Sequence, residues 1–221
     1  MKLLTYLFCL FAFHTMYSQH VYQFDCEVRY QFQSKLKNVS DTRSYLINSK
    51  DNSYYALKIP IRKNKYKLIL MDYDGLIARQ IFKIEELEKS GVTIALFNAN
   101  SYSNPYKYQI NTYDFEKHND SLIDGKRLNT IYLVSTNDQL KRNKNTGHYK
   151  YLVDPSFEFL PMLEFSTAYE IWKARKNYPN GLLTQFYMYN AKNEIVNSLL
   201  FKEIIYRDFK ISYYNYVPQN L

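Results

Sequence analysis

The chain has 221 residues, long enough for one domain with a substantial core. It is basic, with 29 Lys and Arg against 21 Asp and Glu, but the charges are scattered and form no stripe of the kind that tracks a nucleic acid. It holds only two cysteines, so a disulfide-stapled scaffold is excluded and the fold must rest on burial. Tyr and Phe are abundant, at 24 and 14 residues, and nothing in the chain is low-complexity or repeated with a solenoid period.

Met1-Lys2 is a short basic start, and residues 3–13 are apolar or aromatic except for Thr5. That core is shorter than the roughly 20 residues of a membrane span and reads as a secretory signal peptide ending at Ser18. Residues 1–18 are therefore expected to be a signal peptide and 19–221 a single β-rich domain with no transmembrane segment. From Val21 the period becomes two. Tyr22, Phe24, Cys26, Val28, Tyr30 and Phe32 fall on one face, and polar residues fill the other, as in a long half-buried strand. Cys26 sits on the apolar face and reads as a packed thiol.

Further strands are predicted at 44–48, 53–59, 66–71, 76–82, 92–97, 106–113, 127–134 and 149–153. A short helical turn is expected at 85–89. Asp154-Pro155 and Leu160-Pro161 offer helix-start chemistry, and Phe165, Ala168, Tyr169 and Trp172 follow the spacing of one helical face. Lys173, Arg175 and Lys176 suit the last turn, and Trp172 is expected to anchor the helix on the sheet. Strands at 182–189, 195–206 and 209–217 complete the chain. The predicted class is mainly β (α+β): a curved antiparallel sheet or incomplete β-barrel with one main helix packed on it.

Catalytic motifs fail on their context. Asp72-Tyr-Asp74-Gly75 resembles the first motif of haloacid-dehalogenase-type phosphatases, but Leu76 stands where a Thr is required, and Asp74-Gly75 suits a tight hairpin turn. The five glycines are isolated, so no phosphate cradle exists, and His20, His118 and His148 show no metal-ligand spacing. His118 and His148 read as loop residues. No metal, cofactor or catalytic residue is assigned.

Residues 182–221 form a strand, a turn at Tyr189-Asn190-Ala191-Lys192-Asn193, a long strand and a terminal strand closing in Tyr216-Val217-Pro218. With the long opening strand and the export signal, this resembles the LolA-like carriers that sort outer-membrane lipoproteins. The resemblance implies an incomplete barrel with a helical lid over an apolar concavity for acyl chains, in the periplasm or extracellular space of a Gram-negative bacterium. The expected activity is non-enzymatic binding of a lipid or lipoprotein acyl chain. Phe165, Tyr169, Trp172, Tyr30 and Phe32 are its candidate contacts. Two alternatives stay open: a protein- or carbohydrate-interaction domain of the cell envelope using the tyrosine-rich surfaces, and a hydrolase whose site is assembled by folding. A small outer-membrane barrel is disfavoured by the ending Pro218-Gln219-Asn220-Leu221, which lacks a terminal aromatic.

Overall fold

A computed structural model describes residues 19–101, 104, 107, 110–137, 139 and 147–214. The expected signal peptide 1–18, Tyr106 and Tyr108 in the strand expected at 106–113, and the stretch 215–221 lie outside the described residues.

The strands are β1 (Gln19–Ser34), β2 (Val39–Asn48), β3 (Asp51–Arg62), β4 (Lys65–Asp72), β5 (Leu76–Lys83), β6 (Gly91–Ile94), β7 (Ala99–Ser101), β8 (Tyr113–Ile123), β9 (Lys126–Ser135), β10 (His148–Asp154), β11 (Leu182–Tyr189) and β12 (Ile195–Tyr214). Helical turn α1 (Ile84–Leu87) separates β5 from β6, and α2 (Ser166–Arg175) separates β10 from β11. All twelve strands form one sheet in the order β7-β5-β4-β3-β2-β1-β12-β11-β10-β9-β8, with β6 joining β12 in parallel. The other pairings are antiparallel, and the sheet is open between β7 and β8. The architecture is the predicted one: a curved, unclosed sheet with one main helix.

One contact shows how strongly the sheet curls. Gln80 on β5 accepts hydrogen bonds from the amide of Ala95, just after β6, at 2.9 Å and from Asn98 at 3.0 Å. In a flat sheet β5 would lie five strand spacings of about 4.8 Å from β12, the partner of β6. Curling brings the two edges together over a filled core of Phe24, Leu46, Leu68, Leu70, Ile94, Phe209 and Ile211. A second core lies on the face covered by α2, and there Val28, Tyr30, Tyr45, Ile131, Tyr151, Ile171 and Phe186 pack together.

The strand β1 serves both cores with one row of side chains. Tyr22 and Phe24 enter the first core, and Cys26, Val28, Tyr30 and Phe32 enter the second. The ladder to β12 slips between Phe24 and Cys26, where a bulge raises the local twist. On the partner strand this slip falls between Tyr206 and Phe209. For that reason the two strands expected at 195–206 and 209–217 are one, β12, with a local irregularity in place of a turn.

Three other expectations need correction. The strand placed at 106–113 starts at Tyr113 and runs to Ile123. Its sequence is polar on both sides and carries no alternation, because β8 is an edge strand held mainly by its ladder to β9. Consequently His118 lies on β8 and His148 opens β10, neither in a loop. Finally, neither Pro155 nor Pro161 starts a helix. Residues 155–165 form an irregular strap, and α2 begins at Ser166.

That strap is held by hydrogen bonds with other elements: its own Leu160 N–H donates to the Ser49 carbonyl at 2.8 Å, while Asn52 donates to the Pro161 carbonyl at 2.9 Å and the Tyr73 hydroxyl to the Leu163 carbonyl. Gly181 N–H donates to the Phe159 carbonyl at 2.8 Å with φ at 145°, and a Cβ there would stand 2.5 Å from the Asp154 carbonyl oxygen. Tertiary hydrogen bonds thus replace the helical bonds that the prolines would have begun.

Candidate functional site

The five residues expected to contact a ligand separate into two groups. Tyr30 is fully buried and donates its hydroxyl to the Leu183 carbonyl at 2.8 Å. Phe32 is buried beneath the Arg43 guanidinium, 3.2 Å from the ring centre. Tyr169 stacks on Tyr73 with centroids 4.0 Å apart, and Trp172 packs in the helix-side core with the Lys176 ammonium 3.4 Å from its ring centre. All four side chains are buried within the protein. Phe165 alone of the five lines an open cavity.

That cavity is a groove of about 650 Å³ between the start of α2 and the sheet face over β8–β12. Its apolar wall includes Leu133, Tyr149, Phe165, Met188 and Val196. Phe165 immediately precedes α2 and is wedged between two rings. Its centroid is 4.6 Å from Tyr149, nearly parallel to it, and 5.7 Å from Phe186. The sequence expected Phe165 on the helix's apolar row; the structure places it one residue before α2, in an extended conformation at the helix N-cap. Leu133, Met188 and Val196 gave no separate signal, since their alternation in β9, β11 and β12 marks only the sheet's apolar side.

A carboxyl and an imidazole line the same groove, Glu164 on the strap and His148 at the start of β10. Burial pushes the Glu164 carboxyl above its ordinary range despite the pull of Arg43. Burial pushes the His148 imidazole down, towards its neutral form. Both shifts are in the direction of the uncharged state.

At the back of the groove α2 is tied to both ends of the sheet. Tyr169 stacks on Tyr73 in the β4–β5 turn, while Arg175 pairs with Asp114 on β8 at 2.6 Å. The helix therefore bridges the sheet's curvature, and the groove is what remains open beside its first turn.

Asp72 ends β4 and Asp74 lies in the β4–β5 turn: Asp72 accepts the Tyr22 hydroxyl at 2.7 Å, and Asp74 lies 3.5 Å from Lys173. Among the described residues, no three His, Cys, Asp or Glu side chains are grouped to hold a metal ion. No helix among them is long and apolar enough to cross a membrane.

No family model and no curated protein matches the chain. Solved structures do. The MucA/MucB complex of Pseudomonas aeruginosa matches over 89% of this chain and 53% of that chain, at 9% identity and a TM-score of 0.42. This chain thus spans about half the length of the matched MucB structure. A LolA superfamily protein from Nitrosomonas europaea matches over 85% of this chain and 87% of its own, at 13% identity and a TM-score of 0.30. An outer membrane lipoprotein-sorting protein domain from Vibrio parahaemolyticus matches over 84% and 85%, at 11% identity and a TM-score of 0.28. The chain is similar to solved structures of the LolA superfamily at low identity.

Proposed function

We propose that this protein is an exported, non-enzymatic binding protein that holds the acyl chain of a lipid or lipoprotein in the groove beside α2. The observation that carries this reading is the groove itself. Its volume of about 650 Å³ lies within the roughly 300–1,000 Å³ of small-molecule sites. Its wall is mainly aliphatic and aromatic, and its carboxyl and imidazole, Glu164 and His148, are biased towards their neutral forms. An aliphatic chain gains by leaving water for such a wall at roughly 0.8 kcal/mol per methylene buried. The export signal expected at 1–18 supports the periplasm or extracellular space as the compartment.

The test is displacement of a fluorescent apolar probe, 1-N-phenylnaphthylamine, by palmitate, with parent protein and a Met188→Arg variant. Saturable probe binding, its displacement by palmitate, and loss of both in Met188→Arg with an unchanged circular dichroism spectrum are expected. Absence of probe binding, or equal binding by the variant, would remove the groove as the site.

A second reading, interaction with protein or carbohydrate, has one observation in its favour. His118, Tyr132, His148 and Tyr189 form a row of ring contacts across β8, β9, β10 and β11, with centroids 4.5, 5.6 and 4.5 Å apart. Neighbouring rings occupy much of one another's faces, so the row offers mainly edges and polar tips, and the groove remains the better-supported site.

A further inference from the structure

The groove opens between two turns that are fastened side by side. The β1–β2 turn, Lys35-Leu36-Lys37-Asn38, contributes Leu36 to the groove's rim, and the β11–β12 turn contributes Asn190 and Ala191. The Lys35 amide donates to the Val196 carbonyl at 2.9 Å, which joins the first turn to the start of β12. The second turn is tied internally, with the Asn190 side chain accepting from the amides of Lys192 and Glu194 at 2.9 Å each. The rim is thus a built edge of the fold.

Its chemistry is unusual for a solvated turn. Leu36 is 75% exposed at the tip of the first turn, next in sequence to two exposed lysines. Lys192 is exposed on the neighbouring turn. The acid of this rim, Glu194, already accepts from the Asn190 amide group at 2.8 Å. Three exposed lysines thus sit on the two joined turns that carry an unburied leucine to the mouth of an apolar groove. The half-buried Tyr189, which lines the groove here, adds a side chain with an apolar ring and a polar tip.

We propose that this rim docks the protein on the surface of an anionic phospholipid bilayer. Leu36 enters the acyl-chain boundary while Lys35, Lys37 and Lys192 sit among the headgroup phosphates. Charge complementarity selects this occupant. An apolar tip between cations fits an interface that is oily below and negative above, and each lysine near such a surface contributes roughly fivefold in binding. The chain's net charge of +8 adds a long-range attraction of the same sign. The docking geometry sets the groove's mouth against the bilayer, so that an acyl chain passes between them without crossing bulk water. That last step rests on the groove reading; docking itself does not.

The experiment is cosedimentation of the protein, purified from the cell envelope, with vesicles of equal parts phosphatidylglycerol and phosphatidylcholine, and with pure phosphatidylcholine vesicles. Parent protein is expected to bind the mixed vesicles, to bind pure phosphatidylcholine at least tenfold more weakly, and to be released by 0.5 M salt on the order of a Debye length of a few ångströms. Leu36→Asp is expected to lose at least tenfold, and Lys35→Glu/Lys37→Glu about 25-fold or more. The double variant is expected to bind 1-N-phenylnaphthylamine as the parent does, which separates docking from groove occupancy. Parent protein that ignores the mixed vesicles, or variants that bind them equally, overturns the proposal. So does a dimer in sedimentation velocity that Leu36→Asp abolishes, which would make a second copy of the chain the occupant. Vesicle binding with no probe binding would leave docking standing and remove the groove reading.

Discussion

The carboxylate of Glu27 accepts the Lys58 ammonium at 2.9 and 2.8 Å, one bond to each oxygen, on the curled side of the sheet. Arg29 at 3.1 Å and Arg207 at 3.0 Å complete a cluster of three cations around one buried anion. Arg207 also donates to the carbonyls of Leu87 and Lys89 at 2.8 and 3.1 Å, which fastens α1 and the segment after it to β12.

This arrangement predicts acid sensitivity. Burial alone would raise the Glu27 pKa, but the cations, led by Lys58, outweigh it and lower it from 4.5 to about 2. A depressed folded-state pKa contributes stability that is complete above the unfolded value. The contribution is lost as pH falls from about 4.5 towards 2. Burial also lowers the Lys58 pKa against the pull of Glu27, so the pair is worth less than the Glu27 shift alone suggests. Glu27→Gln should cost about 3–5 kcal/mol at pH 7, because it strands the buried Lys58 ammonium. Urea melts should show the gap between parent and variant closing at pH 2–3.

The stack of Tyr169 on Tyr73 governs the helix. Their rings are nearly parallel at 4.0 Å, and the Tyr73 hydroxyl also holds the strap through the Leu163 carbonyl. Tyr169→Ala should lose about 3–5 kcal/mol, the usual cost of truncating a large buried ring. Tyr73→Phe keeps the stack and should lose only about 1–3 kcal/mol, from the unmet carbonyl. Hydrogen exchange should show α2 and residues 155–165 opening together in Tyr169→Ala.

Glu164 predicts the opposite pH dependence to Glu27. Its folded-state pKa is raised by burial, so its contribution is present below the unfolded value and is lost as pH rises through the folded one. Glu164→Gln should therefore be more stable than the parent at pH 7 and indistinguishable from it at pH 3.5 or below. It should also bind 1-N-phenylnaphthylamine more tightly at pH 7, since the groove wall no longer carries a titrating acid. A variant less stable than the parent at neutral pH would contradict the stated cause.

Cys26 should be chemically silent. Its thiol is buried, and burial, followed by a hydrogen bond with Asp25, pushes its pKa up to about 12. The thiolate is the reactive species, so Ellman's reagent at pH 8 should modify Cys26 only at the rate of unfolding. Rapid labelling in buffer without denaturant would refute this.

What could be read from residues alone was set by local periodicity. The even row from Tyr22 to Phe32, the Asp74-Gly75 turn, and the spacing of Phe165, Ala168, Tyr169 and Trp172 each impose a face or a turn through nearest-neighbour sterics, and β1, the β4–β5 hairpin and α2 follow. The strand β8 was missed because its order comes from a partner strand and not from its own pattern.

The site itself was decided in three dimensions. Periodicity marked Tyr30, Phe32, Tyr169 and Trp172 as apolar-facing, but not whether that face meets protein or an open groove. The curl of the sheet and the strap over it filled the space beside those four side chains and left it open beside Phe165. Likewise Leu36 is an unremarkable residue between two lysines until the Lys35–Val196 hydrogen bond sets its turn at the groove's mouth. Alternation is written into each strand by backbone geometry; which apolar surfaces stay uncovered depends on contacts between residues more than a hundred positions apart.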